Sequence, residues 1–187
     1  MSIDYNHLVD AGLAVGFFAQ DQHTIHRAQM PAEEIAAGDG VFVLGFPMNL
    51  AGQQRNYVIV RQGAIARISE MIENASPTFM IDAFVFPGNS GGPIVLKPDA
   101  IAIQGTKAHL NAALIGMVIQ SRLYLDNAVS QQTGHARILF EENAGLADVV
   151  PIDLVDEAIA AQRKFEGLPD HPTKSPDSEQ AAPAQAH

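Results

Sequence analysis

The sequence contains no cysteine. That removes disulfides, thiolate chemistry and cysteine–zinc sites, and leaves the redox character of the compartment open. Positive charge is scarce: 11 Lys and Arg stand against 21 Asp and Glu, a formal net charge of −10. A chain this acidic is repelled by phosphate backbones, so no nucleic-acid partner is expected. No apolar run approaches the roughly 20 residues that span a bilayer as a helix, so no membrane span is expected. The opening MSIDYNHLVD has neither the basic start nor the apolar core of a secretory signal. The expectation is a cytoplasmic protein if Met1 is the true start, with export open if the chain is a shortened piece. No repeat of fixed period is present.

What remains is a chain of 187 residues, 47 % hydrophobic, enough for one domain with a core or two small lobes. Its apolar residues come in short runs separated by Gly, Pro and Asn. LAVGFF (13–18), VFVLGF (41–46), YVIV (57–60), GAIARISEMI (63–72), TFMIDAFVF (78–86), GPIVL (92–96) and ALIGMVIQ (113–120) read as strands. ARILF (136–140) is a further candidate. Such lengths, with turn signals between them, are the form of an all-β sandwich or barrel.

One helix is expected, over 151–165 (PIDLVDEAIAAQRKF). Pro151 suits its first position. Asp153, Asp156 and Glu157 near its start, and Arg163 and Lys164 near its end, complement its dipole. Ile152, Val155 and Ile159 share a face that should dock on the barrel, and Gly167 should stop the helix. The remaining GLPDHPTKSPDSEQAAPAQAH, with four prolines and little to bury, reads as a disordered tail.

The chemistry concentrates in FPGNSGGPIV (86–95). A serine hydroxyl is a weak nucleophile that needs a base for its proton and donors for the oxyanion it creates. Glycines around it let the chain turn sharply and aim successive N–H groups at one point. Here Ser90 is the candidate nucleophile, and the N–H groups of Gly88 and Ser90 are the candidate oxyanion hole. The competing interpretation is an ordinary glycine-rich turn. G-N-S-G-G-P is a far more specific string than a bare G-x-S-x-G.

The stretch DAFVFPGNSGGP (82–93) resembles the nucleophile loop of trypsin-like serine peptidases, closest to the HtrA/Deg type and related stand-alone peptidases. GDGVFVLGFP (38–47) is similar to that family's G-D-x-V-x-x-x-G-x-P segment. Gly63 falls where the family has a glycine-containing strand. LIGMVI (114–119) resembles the strand after the serine that walls the specificity pocket, and VVPIDLV (149–155) the start of the closing helix. The resemblance spans residues 10–165 and implies an all-β, trypsin-like double β-barrel with a C-terminal helix. The second barrel would be complete and the first largely missing. The implied organisation is a first-barrel remnant and connection over 1–37, a second barrel with the nucleophile loop over 38–150, the closing helix over 151–166 and the tail over 167–187. The implied activity is hydrolysis of a polypeptide through an acyl-enzyme, with no cofactor and no metal.

By the same resemblance the catalytic aspartate is Asp10, in DAGLAV, opening the strand at 13–18 and orienting a histidine. Asp4 is the alternative, and alignment on Gly12 would leave the aspartate absent. The histidine is missing from its expected place. His7 is too close to Asp10, His23 and His26 follow it, and His109, His135, His171 and His187 follow the serine. The H-x-x-H spacing of His23 and His26, without cysteines or a carboxylate group, does not make a metal site. Phe84, six residues before Ser90, would sit at the base of the specificity pocket and favour small or medium apolar side chains. Val118, Ile119 and Gln120 would line its wall, and Asp82 would be structural. A chain without its base implies a weak or inactive peptidase, through truncation or as a non-catalytic peptide-binding relative. The absence of β-α alternation argues against an α/β-hydrolase.

Overall fold

The computed structural model describes residues 5–13, 16–20, 22–50, 52–53, 56–99 and 107–168. Six strands close an antiparallel barrel: β1 (Gly40–Gly45), β2 (Ile59–Arg67), β3 (Phe79–Asp82), β4 (Pro93–Leu96), β5 (Ala113–Val129) and β6 (Ala136–Pro151). Their order around the barrel is β1-β2-β3-β6-β5-β4, so a non-local β1–β4 pairing closes it. Among the described residues three α-helices accompany them: α1 (Tyr5–Asp10), the single turn α2 (Ser69–Ile72) and α3 (Ile152–Phe165), with a short 3-10 turn at Pro47–Asn49.

Alternation along β1 explains its near-continuous apolar run. Val41 and Val43 are fully buried inside the barrel, beside Ile94, Leu96, Ile115 and Val149. Phe42 and Leu44 face outward, where they pack with Val95, Leu114, Ile152 and Val155. Both faces of the strand are therefore covered, one by the barrel core and one by α3. The helix docks through Ile152 and Val155, while Ile159, expected on the same stripe, is 43 % exposed. Gly167 adopts φ +69, and the N–H groups of Gly167 and Leu168 return to the carbonyls of Lys164 and Arg163. This paired C-terminal turn ends the helix where the glycine predicted.

Five strand expectations need correction. Residues 16–18 of LAVGFF form no strand, and Ala14 and Val15 lie outside the described residues. An apolar run becomes a strand only with a neighbour to pair with, and this one has none among the described residues. Asp10 accordingly opens no strand but ends α1. The run 63–72 is strand only to Arg67 and then turns into α2, whose Met71 enters the core. The run 78–86 is strand only to Asp82. β5 and β6 are far longer than the segments 113–120 and 136–140, because each supplies the other's partners across the turn at 130–135. The tail beyond Leu168 lies outside the described residues.

The segment before the barrel is part of its core. Met30 and Ile35 are buried with the barrel interior. Ile25 N–H donates to the Leu114 carbonyl at 3.0 Å, and Leu114 N–H donates to the His23 carbonyl at 2.7 Å. The same segment is tied to α3. Arg27 N–H donates to Asp153 Oδ2 at 2.9 Å, His26 Nε2 lies 2.6 Å from Asp156 Oδ2, and the Gln20 side-chain amide also reaches Asp156. The acidic first turns of α3 thus serve as acceptors for this segment as well as complementing the dipole.

His26 titrates abnormally for a physical reason. Partial burial disfavours its charged form, but the hydrogen bond and charge of Asp156, joined by the charge of Asp153, outweigh it and raise the pKa. A raised histidine pKa contributes stability that is full below the unfolded value of about 6.5 and is lost as pH rises through the folded value. Asp156→Asn is therefore expected to lower the His26 pKa in an NMR titration. The stability gap between the two proteins should be widest at acid-side pH and narrow above the folded pKa. An unchanged His26 titration would show that the pair does not form.

Candidate active site

The loop between β3 and β4 is held on two sides. On one, Met48 N–H donates to the Pro87 carbonyl at 2.6 Å, just beyond the end of β1. On the other, Gly91 N–H donates to the Val118 carbonyl at 2.8 Å, and Val118 N–H to the Gly92 carbonyl at 3.0 Å. Within the loop, Asn89 N–H bonds the Phe86 carbonyl at 3.0 Å, and Phe86 N–H returns to Asn89 Oδ1 at 3.2 Å. These bonds make the loop a rigid feature of the barrel rather than a free excursion.

Glycine is needed at position 88 on two counts. Its φ is +98, and a Cβ there would lie 2.3 Å from the Phe46 carbonyl oxygen. Asn89, fully buried, leans against β1: a Cβ at Gly45 would lie 2.7 Å from its Nδ2. That Nδ2 is the one buried side-chain polar atom without a hydrogen-bond partner among the described residues. The GFP of segment 38–47 and the GNSGG of the loop are therefore spatial counterparts, which the sequence distance between them does not reveal.

Ser90 is exposed at the crest of this loop. Its Oγ lies 3.4 Å from the Ile119 carbonyl, a long contact for a hydroxyl donor. Among the described residues, neither the Gly88 nor the Ser90 amide donates to another backbone group. Both residues line a cavity of about 270 Å³, whose other walls are Leu44, Gly45, Phe46, Val58 and the Gly91–Pro93 strand start. A second, larger cavity of about 380 Å³ is lined by Gln29, Glu33, Lys107 and His109 among others, shares no residue with the first and holds no serine.

The sequence-derived site residues separate into two sets. Ser90, Gly88, Val118 and Ile119 come together: Val118, fully buried, and Ile119 present the carbonyls that receive Gly91 N–H and Ser90 Oγ. Phe84, Gln120 and Asp10 are placed elsewhere. Phe84 is 57 % exposed, lies over Gly145 and takes no part in the cavity at Ser90. Gln120 donates to Asp148 Oδ2 at 2.6 Å, and the same buried carboxylate receives Arg122 through Nε at 2.8 Å and Nη2 at 3.0 Å. Gln120 is thus committed to a structural cluster at the base of the β5–β6 hairpin. Asp10 is exposed at the end of α1, and its side chain makes no hydrogen bond or ion pair among the described residues.

No described histidine bonds Ser90. His26 is taken by Asp156, His109 lies 3.5 Å from Asp39, and His23 Nδ1 accepts the Ala19 N–H. Sequence reading missed the cavity walls Leu44, Phe46 and Val58. Their apolar character marks them only as strand or core, and closure of the barrel alone sets them beside Ser90. Comparison of the chain with protein-family models, with curated proteins and with solved structures finds no match in any of the three.

Proposed function

We propose that the chain carries the acyl-transfer half of a serine hydrolase acting on polypeptides, of the trypsin-like type that its motifs resemble. The observation that carries this reading is the junction at Ser90. An exposed hydroxyl stands on a doubly pinned loop, at the edge of a cavity, beside two backbone N–H groups that bond no other backbone group among the described residues. In this reading Ser90 Oγ attacks the scissile carbonyl carbon and its proton passes to a base. The amides of Gly88 and Ser90 hold the oxyanion. Collapse breaks the C–N bond, the proton goes to the leaving amine, and water then releases the acyl group. No base is among the contacts of Ser90 with the described residues, so in this reading one must be supplied to it. The long bond from Ser90 Oγ to the Ile119 carbonyl favours a second reading, in which the same cleft holds a peptide without cleaving it.

A fluorophosphonate with and without added imidazole distinguishes them. The chain by itself should react weakly. With imidazole as the external base, mass spectrometry should find modification at Ser90 about 100-fold faster than at an exposed reference such as Ser69, reflecting the oxyanion donors. Equal rates at the two serines would sink the hydrolase reading and leave the binding one.

A further inference from the structure

Beyond the barrel, β5 and β6 continue together as a two-stranded arm. β5 pairs with β4 only as far as Met117, and β6 pairs with β3 only from Leu146. From Ile119 to Val129, about 35 Å at strand spacing, β5 has no strand neighbour other than β6 among the described residues. The register puts Leu123, Leu125 and Leu139 on one face of this ribbon and Tyr124, Ile138 and Phe140 on the other. All six are about half exposed or more. Segment 119–142 has neither Pro nor Lys, the residues that normally blunt an exposed edge. An isolated two-stranded ribbon is marginal in water, and one with exposed apolar side chains on both faces gains from a further strand.

The two edges differ. Near the base, the edge of β6 is covered by residues 83–85: Ala83 N–H donates to the Gly145 carbonyl and Asn143 Nδ2 to the Val85 carbonyl. Among the described residues the edge of β5 is open, and it begins at Ile119, whose carbonyl receives Ser90 Oγ. Charge selects the occupant. Arg122 is held by Asp148, which leaves Asp126, Glu141 and Glu142 on the arm against Arg137. A second copy would bring another net charge of −10 to this face, whereas a cationic segment is attracted to it.

We infer that the β5 edge of the arm docks an extended polypeptide segment of alternating apolar and basic residues, which adds to it as a third strand. Main-chain bonds to β5 supply affinity. Alternate apolar side chains reach Leu123 and Leu125 on one face or Tyr124 on the other, and basic ones meet the carboxylates. That such a segment is also substrate rests on the reading of Ser90 as nucleophile; the docking does not.

The probe is a fluorescein-labelled peptide of alternating valine and lysine, titrated into the full chain by fluorescence anisotropy. The expected result is saturable binding, weakened at least about tenfold when lysine is replaced by glutamate or when prolines interrupt the peptide. Leu123→Thr with Leu125→Thr, which keeps strand propensity, should weaken binding about tenfold with the melting temperature of the barrel preserved. Ser90→Ala should bind like the parent. Equal binding of the proline-interrupted or glutamate peptide would overturn the inference. So would unchanged binding by the double variant, or a dimer in sedimentation that the double variant dissolves. Binding with no acylation of Ser90 would leave the docking standing and remove the hydrolase reading. Acylation without binding would do the reverse.

Discussion

Ile81→Ala is expected to cost about 3–4 kcal/mol in urea denaturation, a large share of the roughly 5–15 kcal/mol that a domain has. Ile81 is fully buried in β3, opposite Ile65 of β2 and Ala147 of β6. Truncation removes its buried methyl and methylene groups and leaves a cavity between two strand pairs that cannot both collapse onto it. The contrast is Leu139→Ala on the arm. Leu139 is 53 % exposed, so its loss should cost under about 1 kcal/mol. If the two variants proved equally destabilising, the arm would be packed in solution and the distinction between barrel and arm would fall.

Gly88→Ala is expected to damage the loop and the reactivity of Ser90 together. The backbone at φ +98 resists a side chain at a cost of about 1–3 kcal/mol, and the added methyl would meet the Phe46 carbonyl. Melting should fall by several degrees, at about 2–4 °C per kcal/mol for a chain of this size. Relief of the contact requires the loop to leave the 46–48 turn, which moves the Gly88 amide out of place. The imidazole-assisted excess of Ser90 modification should then drop at least tenfold. Gly134, at the tip of the arm, is the control. It also has positive φ, at +68, but a Cβ there meets nothing within 4 Å. Gly134→Ala should lower stability only by backbone strain and leave Ser90 untouched. Wild-type melting and reactivity in Gly88→Ala would show that the loop does not approach β1 as described.

Local signals in the chain carry a good part of this architecture. The β1 run, the β4 run and the helix that ends before Gly167 are legible because periodicity and a glycine stop are short-range properties, although Pro151, expected at the first helical position, ends β6 as the extended residue before the helix. The density of glycine around Ser90 likewise announces a turn of unusual geometry. Other features are set by pairings between residues far apart. LAVGFF has strand composition but no neighbouring strand, so its described residues stay irregular. Met30 and Ile35 sit in an unremarkable polar stretch, yet closure of the barrel makes them core. The length of β5 and β6 depends on each finding the other, since polar residues such as Asp126, Asn127 and Glu141 mark no strand by themselves.

The candidate site divides along the same line. The sequence by itself determined the loop: which serine it presents, which glycines allow its turns and which amides flank the hydroxyl. Tertiary structure alone decided what surrounds that serine. The β1–β4 seam brings Leu44, Gly45 and Phe46 to it, and the start of β5 brings Ile119. The Asp148 cluster takes Gln120 away, and α1 holds Asp10 without a partner for its carboxylate among the described residues. The reason is physical. Turn chemistry is enforced by the sterics of a few neighbouring residues, whereas a cavity wall exists only once distant strands have paid the entropy of pairing and closed the barrel.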